Sequence, residues 1–176
     1  MKKIILSFAS AILLINLTIF SMSSTAAVDM FLKIEGIEGD SQDSLRPKNI
    51  DILAWSWGTS SAIKGKGGVS CNIQDVSITK FVDSSSPALL MGQLDGTVYA
   101  TGQLVVRRNV GSGKPIEYIV IDFNGIRITS LSTGGSGGED RLTENVSFNF
   151  INATYTYTPQ TENGAGTPTS ATIGGC

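Results

Sequence analysis

The sequence predicts a mainly β protein, an antiparallel two-sheet barrel or sandwich with one short α-helix. Apolar and polar residues alternate with a period of two in six or more segments, which is typical of half-buried strands. Only one segment has a helix start signal, and strands do not alternate with helices as they do in parallel α/β folds. The chain has 176 residues, which is room for one domain.

In chain order, the predicted strands lie around Met30–Glu35, Ile50–Gly58, Val76–Val82, Leu104–Arg108, Ile119–Ile128 and Val146–Tyr157. In the fifth strand the apolar phase moves by one residue at Asn124–Gly125, which predicts a β-bulge. In the sixth strand it moves between Phe150 and Ile151, which predicts a bend from one sheet to the other. Ser60–Ser70 carries three glycines and is predicted to be a long, mobile connection.

The single helix is predicted at Pro87–Leu94. Ser86 supplies an N-cap side chain, and Pro87 fits the first helical position. Gly92 or Gly96 supplies the stop, because glycine readily adopts the left-handed conformation that ends many helices. The sequence therefore predicts a helix of two or three turns between strands.

The first 26 residues have the three parts of a secretory signal peptide. Lys2 and Lys3 are followed by an apolar run, Ile4–Phe20, and then by small residues that fit cleavage after Ala26 or Ala27. A retained membrane anchor and a mis-assigned start codon stay open as alternatives. The apolar run is short for a membrane span, and no later stretch is apolar enough to cross a bilayer. We therefore expect an exported protein without stable membrane insertion after cleavage.

The sequence therefore predicts three segments: a signal peptide at 1–26, a β domain at 27–159 and a flexible tail at 160–176. From Pro159 onward the chain consists largely of Thr, Gly, Pro and Ala, a composition that predicts disorder.

Composition excludes several function classes. The chain has no histidine, which removes His-dependent nucleophilic and acid/base catalysis and nearly every catalytic zinc arrangement. Acidic residues number 15 and basic residues 13, so nucleic-acid binding is not expected. Cys71 and Cys176 are too far apart for a C-x-x-C redox pair. If the protein is exported they reach an oxidising compartment, where a disulfide between them becomes possible. We expect no cofactor, no metal and no enzymatic activity.

A glycine-rich segment, Ser132–Gly138, is a candidate phosphate-binding loop. A P-loop requires a lysine and a hydroxyl residue that open a helix, and no lysine follows here. We interpret Gly134, Gly135, Gly137 and Gly138 instead as positions that let backbones approach closely in a contact loop.

A charged cluster follows the glycines. Glu139, Asp140 and Glu144 raise the alternative of a paired-carboxylate acid/base site. Arg141 lies among them, and runs of mixed charge are usually solvated or bridge subunits. We therefore predict that Glu139, Asp140 and Arg141 serve subunit contacts together with the glycines.

Several segments together resemble the haemolysin-coregulated protein (Hcp) family, the tube proteins of bacterial type VI secretion. The segments are Val28–Gly36, Ile50–Gly58, Val76–Asp83 with Ser86-Pro87 after it, and Ser130–Val146. The resemblance extends from about Ala27 to Pro159.

The resemblance implies a non-enzymatic structural protein, a β-barrel of two sheets with one helix on its side. Such proteins form hexameric rings that stack into the inner tube fired by a contractile sheath. The lumen can carry effector proteins, and the tube meets a spike protein at its tip.

The signal peptide departs from this family, whose members ordinarily assemble in the cytoplasm. Two functions stay open: a subunit of the tube, or a Sec-exported paralogue that acts as a secreted binding or effector protein without a tube role. The expected location is periplasmic or extracellular. If the start codon is mis-assigned, it is the cytoplasm before type VI secretion.

Overall fold

The computed structural model describes residues 28–65, 68–109, 114–138, 140–161 and 164–174, so the predicted signal peptide lies outside the described residues. These residues form twelve strands and one helix. Their order is β1 (Val28–Ile34), β2 (Ile50–Ser56), β3 (Thr59–Lys64), β4 (Gly68–Ile73), β5 (Val76–Phe81), α1 (Ser86–Asp95), β6 (Val98–Arg108), β7 (Ile116–Gly134), β8 (Thr143–Asn149), β9 (Asn152–Tyr157), β10 (Gln160–Thr161), β11 (Gly164–Ala165) and β12 (Thr169–Gly174).

Six strands close into an antiparallel barrel in the order β7-β6-β1-β2-β5-β8, and β8 pairs back onto β7. The predicted fold class is therefore confirmed. The contact between β1 and β2 is the shortest in the barrel, since only Phe31 and Leu32 of β1 pair with β2. A cleft opens where these two strands separate.

Strand β7 changes partners along its length within one eight-stranded sheet. Its first part, Ile119–Asn124, pairs with β9, and β12 pairs with the far side of β9. Its second part, Arg127–Gly134, pairs with β8 and closes the barrel. Gly125 lies at the transition with a φ of +67°, a backbone conformation that favours glycine. The bulge predicted at Asn124–Gly125 is wrong, because the ladder with β6 passes this point without a register shift. The change of apolar phase marks a change of strand partner instead.

The long strand predicted here is interrupted between Phe150 and Ile151, but its two parts lie in one eight-stranded sheet and do not lead from one sheet to another. These two residues separate β8, which pairs with β5 and β7, from β9, which pairs with β7 and β12. The backbone N–H of Ile151 donates to the carbonyl of Asn124 at 2.9 Å. The two strands are therefore anchored to the same point of β7.

Two segments are more regular than the sequence predicts. Residues 60–64 and 68–70, within the segment expected to be a mobile connection, lie in strands β3 and β4, which among the described residues pair only with each other. The expected flexible tail instead contains β12, which pairs with β9 from Thr169 opposite Tyr157 to Gly174 opposite Asn152. Threonine favours β-strands, but the tail has few apolar residues, so its composition predicted disorder instead of a strand.

Helix α1 extends one residue beyond each predicted end. Gly96 ends it with a φ of +71°, as predicted. The N-cap is Ser85, not Ser86. The helix packs against β7 and buries Leu89 and Gly92.

The core fills the barrel and the space under α1. Its largest fully buried apolar side chains are Phe123, Phe148, Leu32, Ile34, Ile50, Ile78, Leu89, Leu104, Ile121 and Ile126. Trp55 and Trp57 are half-buried against this cluster. Among the described residues, no helix combines the length and apolar character that a bilayer crossing requires.

Candidate functional site

The predicted contact loop connects β7 to β8 at one end of the barrel. Gly134 is the last residue of β7, and Gly135, Gly137, Gly138, Asp140 and Arg141 follow it, all of them exposed. Glu139 lies outside the described residues. The structure thus brings the described members of the predicted site together in one exposed loop.

Contacts within the subunit hold both ends of this loop. The guanidinium of Arg141 lies 3.9 Å from the ring centroid of Phe81, at the end of β5. A side chain at Gly135 would clash with Leu142, so this glycine permits close packing inside the loop itself. Hydrogen bonds from Ser84 lower the pKa of Asp40, and the positive charge of Arg141 adds to this effect. The loop is therefore fastened to the barrel rather than detached from it.

Beneath the loop lies a buried ion-pair network that the sequence analysis missed. The Lys80 side chain is fully buried, and its ammonium group lies 2.7 Å from carboxylate oxygens of both Asp83 and Glu144. It also donates to the carbonyl of Phe81 at 2.8 Å and to the hydroxyl of Ser86 at 3.2 Å. All the hydrogens of the ammonium group therefore have partners inside the protein.

The network corrects the interpretation of two residues. Glu144 is not part of a solvated charge cluster, since its side chain is only 2% exposed. Ser86 does not cap the helix with its side chain but donates to Glu144 at 2.7 Å and accepts from the backbone N–H of Asp83 at 3.1 Å. The network therefore ties the start of α1 to β5 and β8.

A second charged cluster lies in the cleft between β1 and β2, which has a volume of about 400 Å³. Arg107 is buried there, and it donates to Asp29 at 3.0 Å and also to Asp43. Its guanidinium lies 4.7 Å from the ring centroid of Phe31. The hydrogen bond from Arg107 lowers the pKa of Asp43, although partial burial opposes the shift. This arrangement pins the loop after β1 to the barrel.

The described residues offer no arrangement of three or more Cys, Asp or Glu side chains that could hold a metal ion. Cys71 is disulfide-bonded, whereas Cys176 lies outside the described residues. The pairing of these two cysteines stays a prediction.

Two exposed apolar patches stand out on the surface. The helix patch comprises Met91, Leu94 and Val98 on and after α1, each at least half exposed. The hairpin patch comprises Ile63 and Val69, which face each other across β3 and β4 and are 82% and 68% exposed. Exposed apolar side chains that lie close together are candidate contact points.

A family model described as "Type VI secretion system effector, Hcp" matches residues 31–157. The chain belongs to the Hcp family. It is 44% identical over 144 residues to the curated protein hcp1 of Pseudomonas aeruginosa, a match that covers 79% of this chain and 88% of that protein.

Solved structures of Hcp proteins have the same fold. A crystal structure of a type VI secretion system effector from Yersinia pestis is 34% identical, with a TM-score of 0.68, and the match covers 83% of this chain and 99% of that one. Hcp1 from Salmonella typhimurium is 26% identical with a TM-score of 0.69, covering 84% and 94%.

Membership in the Hcp family confirms the predicted role as a structural tube protein of the type VI secretion system. The alternative of a secreted binding protein without a tube role is not favoured. The buried Lys80 network lies in Val76–Asp83 and Ser130–Val146, two of the segments that carried the resemblance.

Proposed function

We propose that the mature chain assembles into hexameric rings that stack into the inner tube of a type VI secretion system. Effector proteins travel in the lumen, a sheath surrounds the tube and a spike protein meets its tip. The observation that carries the proposal is membership in the Hcp family, with 44% identity over most of the chain. No cofactor and no catalytic step belong to this role.

The surface of the subunit supports assembly. A closed ring is built from head-to-tail contacts, in which two different surfaces of each subunit meet. The helix patch and the hairpin patch provide two separate apolar surfaces. Among the strands that the structure describes, β12 has a partner on one side only, so its outer edge offers backbone hydrogen-bonding groups to a neighbour.

The loop from Gly134 to Arg141 is proposed as one of the contacts between subunits. Its described residues are exposed, while Phe81 and Leu142 hold its ends in place. An ordered loop loses less conformational entropy on association than a mobile one. Asp140 and Arg141 supply opposite charges that can pair with a neighbouring copy.

Charge reversal at Arg141 tests this contact. We expect Arg141→Glu to shift the purified mature protein from rings toward single subunits at low protein concentration, measured by size-exclusion chromatography with light scattering. A ring repeats each contact around its circumference, so a loss of about 0.2–1 kcal/mol at an exposed pair is multiplied. Lys33→Glu is the matched control, because Lys33 is an exposed residue on the outer face of β1.

The contact is excluded if both variants form rings as well as the parent protein does. If Arg141→Glu yields single subunits that are unfolded by circular dichroism, the residue acts on the fold through Phe81 and not on assembly. A parent protein that is monomeric at micromolar concentration would contradict the ring proposal itself.

The N-terminal segment is proposed to direct export before assembly, with cleavage after Ala26 or Ala27. Intact-mass analysis of the periplasmic fraction, after expression in a bacterium, tests this step. If the protein stays in the cytoplasm at its full-length mass of 18.6 kDa, export is excluded and assembly takes place in the cytoplasm.

A further inference from the structure

A groove of about 360 Å³ lies at the end of the barrel where β8 ends and β9 begins. Two apolar side chains line it, Val98 and Ile151, which are 50% and 70% exposed. Ile151 is nevertheless held in place, because its backbone N–H donates to the carbonyl of Asn124 at 2.9 Å. Its side chain lies so close to Gly125 that a Cβ there would clash with it. The groove therefore presents a fixed apolar surface.

The polar side of the groove carries an arginine. Thr129 and Asn149 line the groove and donate to the carboxylate of Asp75, at 2.6 Å and 2.8 Å, so this carboxylate is already bound within the subunit. Arg127 lines the groove as well and is exposed. Among the residues that the structure describes, none forms a hydrogen bond or an ion pair with its guanidinium. Such a groove fits a segment that carries a carboxylate close to an apolar side chain.

The contact loop carries this combination. Asp140 is exposed and has no cationic partner in the described part of the chain, and Leu142, two residues further on, is 45% exposed. The close approach of Leu142 to Gly135 and the position of Arg141 over the ring of Phe81 hold this segment against the barrel. A segment that is already ordered loses less conformational entropy when it binds.

The loop and the groove lie at opposite ends of one pair of strands. In the ladder between β7 and β8, Gly134 pairs with Thr143 beside the loop, and Arg127 pairs with Asn149 at the groove. The seven residues of β8 separate these ends, a distance of about 20 Å, so the loop does not reach the groove of its own chain. A contact between loop and groove is therefore head-to-tail: each copy gives its loop to one neighbour and receives the loop of another.

We propose that Asp140 of one copy pairs with Arg127 in the groove of a second copy. Leu142 of the same loop then packs against Val98 and Ile151 of that copy. The opposite charges and the neighbouring apolar groups match in both pairs, which is the reason for choosing a second copy of this chain as the occupant. The inference rests on the proposed assembly into rings and names the surface that receives the contact loop.

Charge exchange tests the pair. Arg127→Asp and Asp140→Arg each bring two like charges together, so we expect the protein concentration at which assemblies dissociate to rise at least about fivefold. The double variant restores a pair of opposite charges and should recover most of that loss. Sedimentation velocity over a dilution series of the purified mature protein measures the effect. Lys33→Asp and Asp51→Arg are the matched controls, because these exposed residues carry the same charge changes outside the loop and the groove.

The proposal is overturned if the single variants assemble as well as the parent protein does. It is also overturned if the double variant assembles no better than the weaker of the single variants. Rings in all of these samples leave the ring proposal intact and exclude only the contact between loop and groove. A parent protein that stays a single subunit at every concentration contradicts the ring proposal, and this contact with it.

Photocrosslinking identifies the occupant of the groove without a change of charge. Val98 is replaced by the photoreactive p-benzoylphenylalanine, chains labelled with ¹⁴N and ¹⁵N are mixed at low concentration, and the sample is concentrated, irradiated and mapped by mass spectrometry. We expect links between chains from position 98 to residues 140–142. Links to the β3–β4 hairpin or to another segment of the partner chain, or links within one chain only, would overturn the proposal.

Discussion

Replacing Lys80 by methionine is the most informative test of the buried ion-pair network. Methionine has a similar length and no charge, so Lys80→Met leaves the carboxylates of Asp83 and Glu144 without their shared cation. Both are nearly inaccessible to water, at 7% and 2% exposure. Breaking a buried pair by removing one partner costs about 3–5 kcal/mol. Since domains of this size are stabilised by about 5–15 kcal/mol, the variant should lose a large share of its stability.

Lys48→Met is the matched control. Lys48 pairs with Glu38 at 3.0 Å, but both side chains are 69% exposed, and exposed pairs contribute about 0–1 kcal/mol. The same chemical change should therefore have a small effect at position 48 and a large one at position 80.

The assay is urea unfolding followed by tryptophan fluorescence at fixed protein concentration, because assembly adds to apparent stability. A double variant, Lys80→Met with Glu144→Met, removes one of the stranded carboxylates. It should be more stable than Lys80→Met by about 1–3 kcal/mol, because it no longer buries a Glu144 carboxylate without its cation. The reasoning is refuted if Lys80→Met and Lys48→Met lose equally little stability, or if the double variant is the less stable of the two position-80 variants.

Two further predictions concern acid sensitivity and helix termination. Arg107 depresses the pKa of Asp43 below its usual 3.8, so this carboxylate contributes stability that is present above about pH 4 and lost as the pH falls through the depressed value. Asp43→Asn should therefore unfold more easily than the parent protein near neutral pH, and the difference should vanish in acid, as urea titrations from pH 7 to pH 2 will show. Gly96→Ala should cost about 1 kcal/mol because Gly96 has a φ of +71°, whereas Gly134→Ala should be nearly neutral in the same unfolding assay, since Gly134 has open space around it.

Period-2 patterning located the barrel strands well because each of them buries one face. The same alternation could also have predicted the buried ion-pair network around Lys80. Lys80 is in phase with Val76 and Ile78, and Glu144 is in phase with Val146 and Phe148 on a second strand. A lysine and a glutamate that both occupy inward positions of predicted strands indicate a buried ion pair, since neither is normally buried alone.

The hairpin and β12 could not be predicted in this way. β3 and β4 lie outside the barrel and expose most of their side chains, so no apolar face imposes a period on them. β12 is exposed at five of its six positions, and only Ile173 reaches the core. This strand is held by backbone hydrogen bonds to β9. Such bonds need no particular side-chain pattern, so sequence periodicity cannot predict them. Arg107 was missed for a different reason: it ends a run of four buried residues, Leu104–Arg107, in which no alternation marks an inward position.

The two roles of β7 have a consequence for insertions and fusions. Its 19 residues set the register of β6, β8 and β9 at once. One added residue would turn every following side chain of β7 to the opposite face of the sheet. Side chains that now lie in the core would then face solvent, and the pairing with several neighbouring strands would be affected at the same time. Ile126 and Ile128, which fill the barrel, would point outward. Insertions within this strand should therefore abolish folding, and engineered cargo or affinity tags belong at loops away from it.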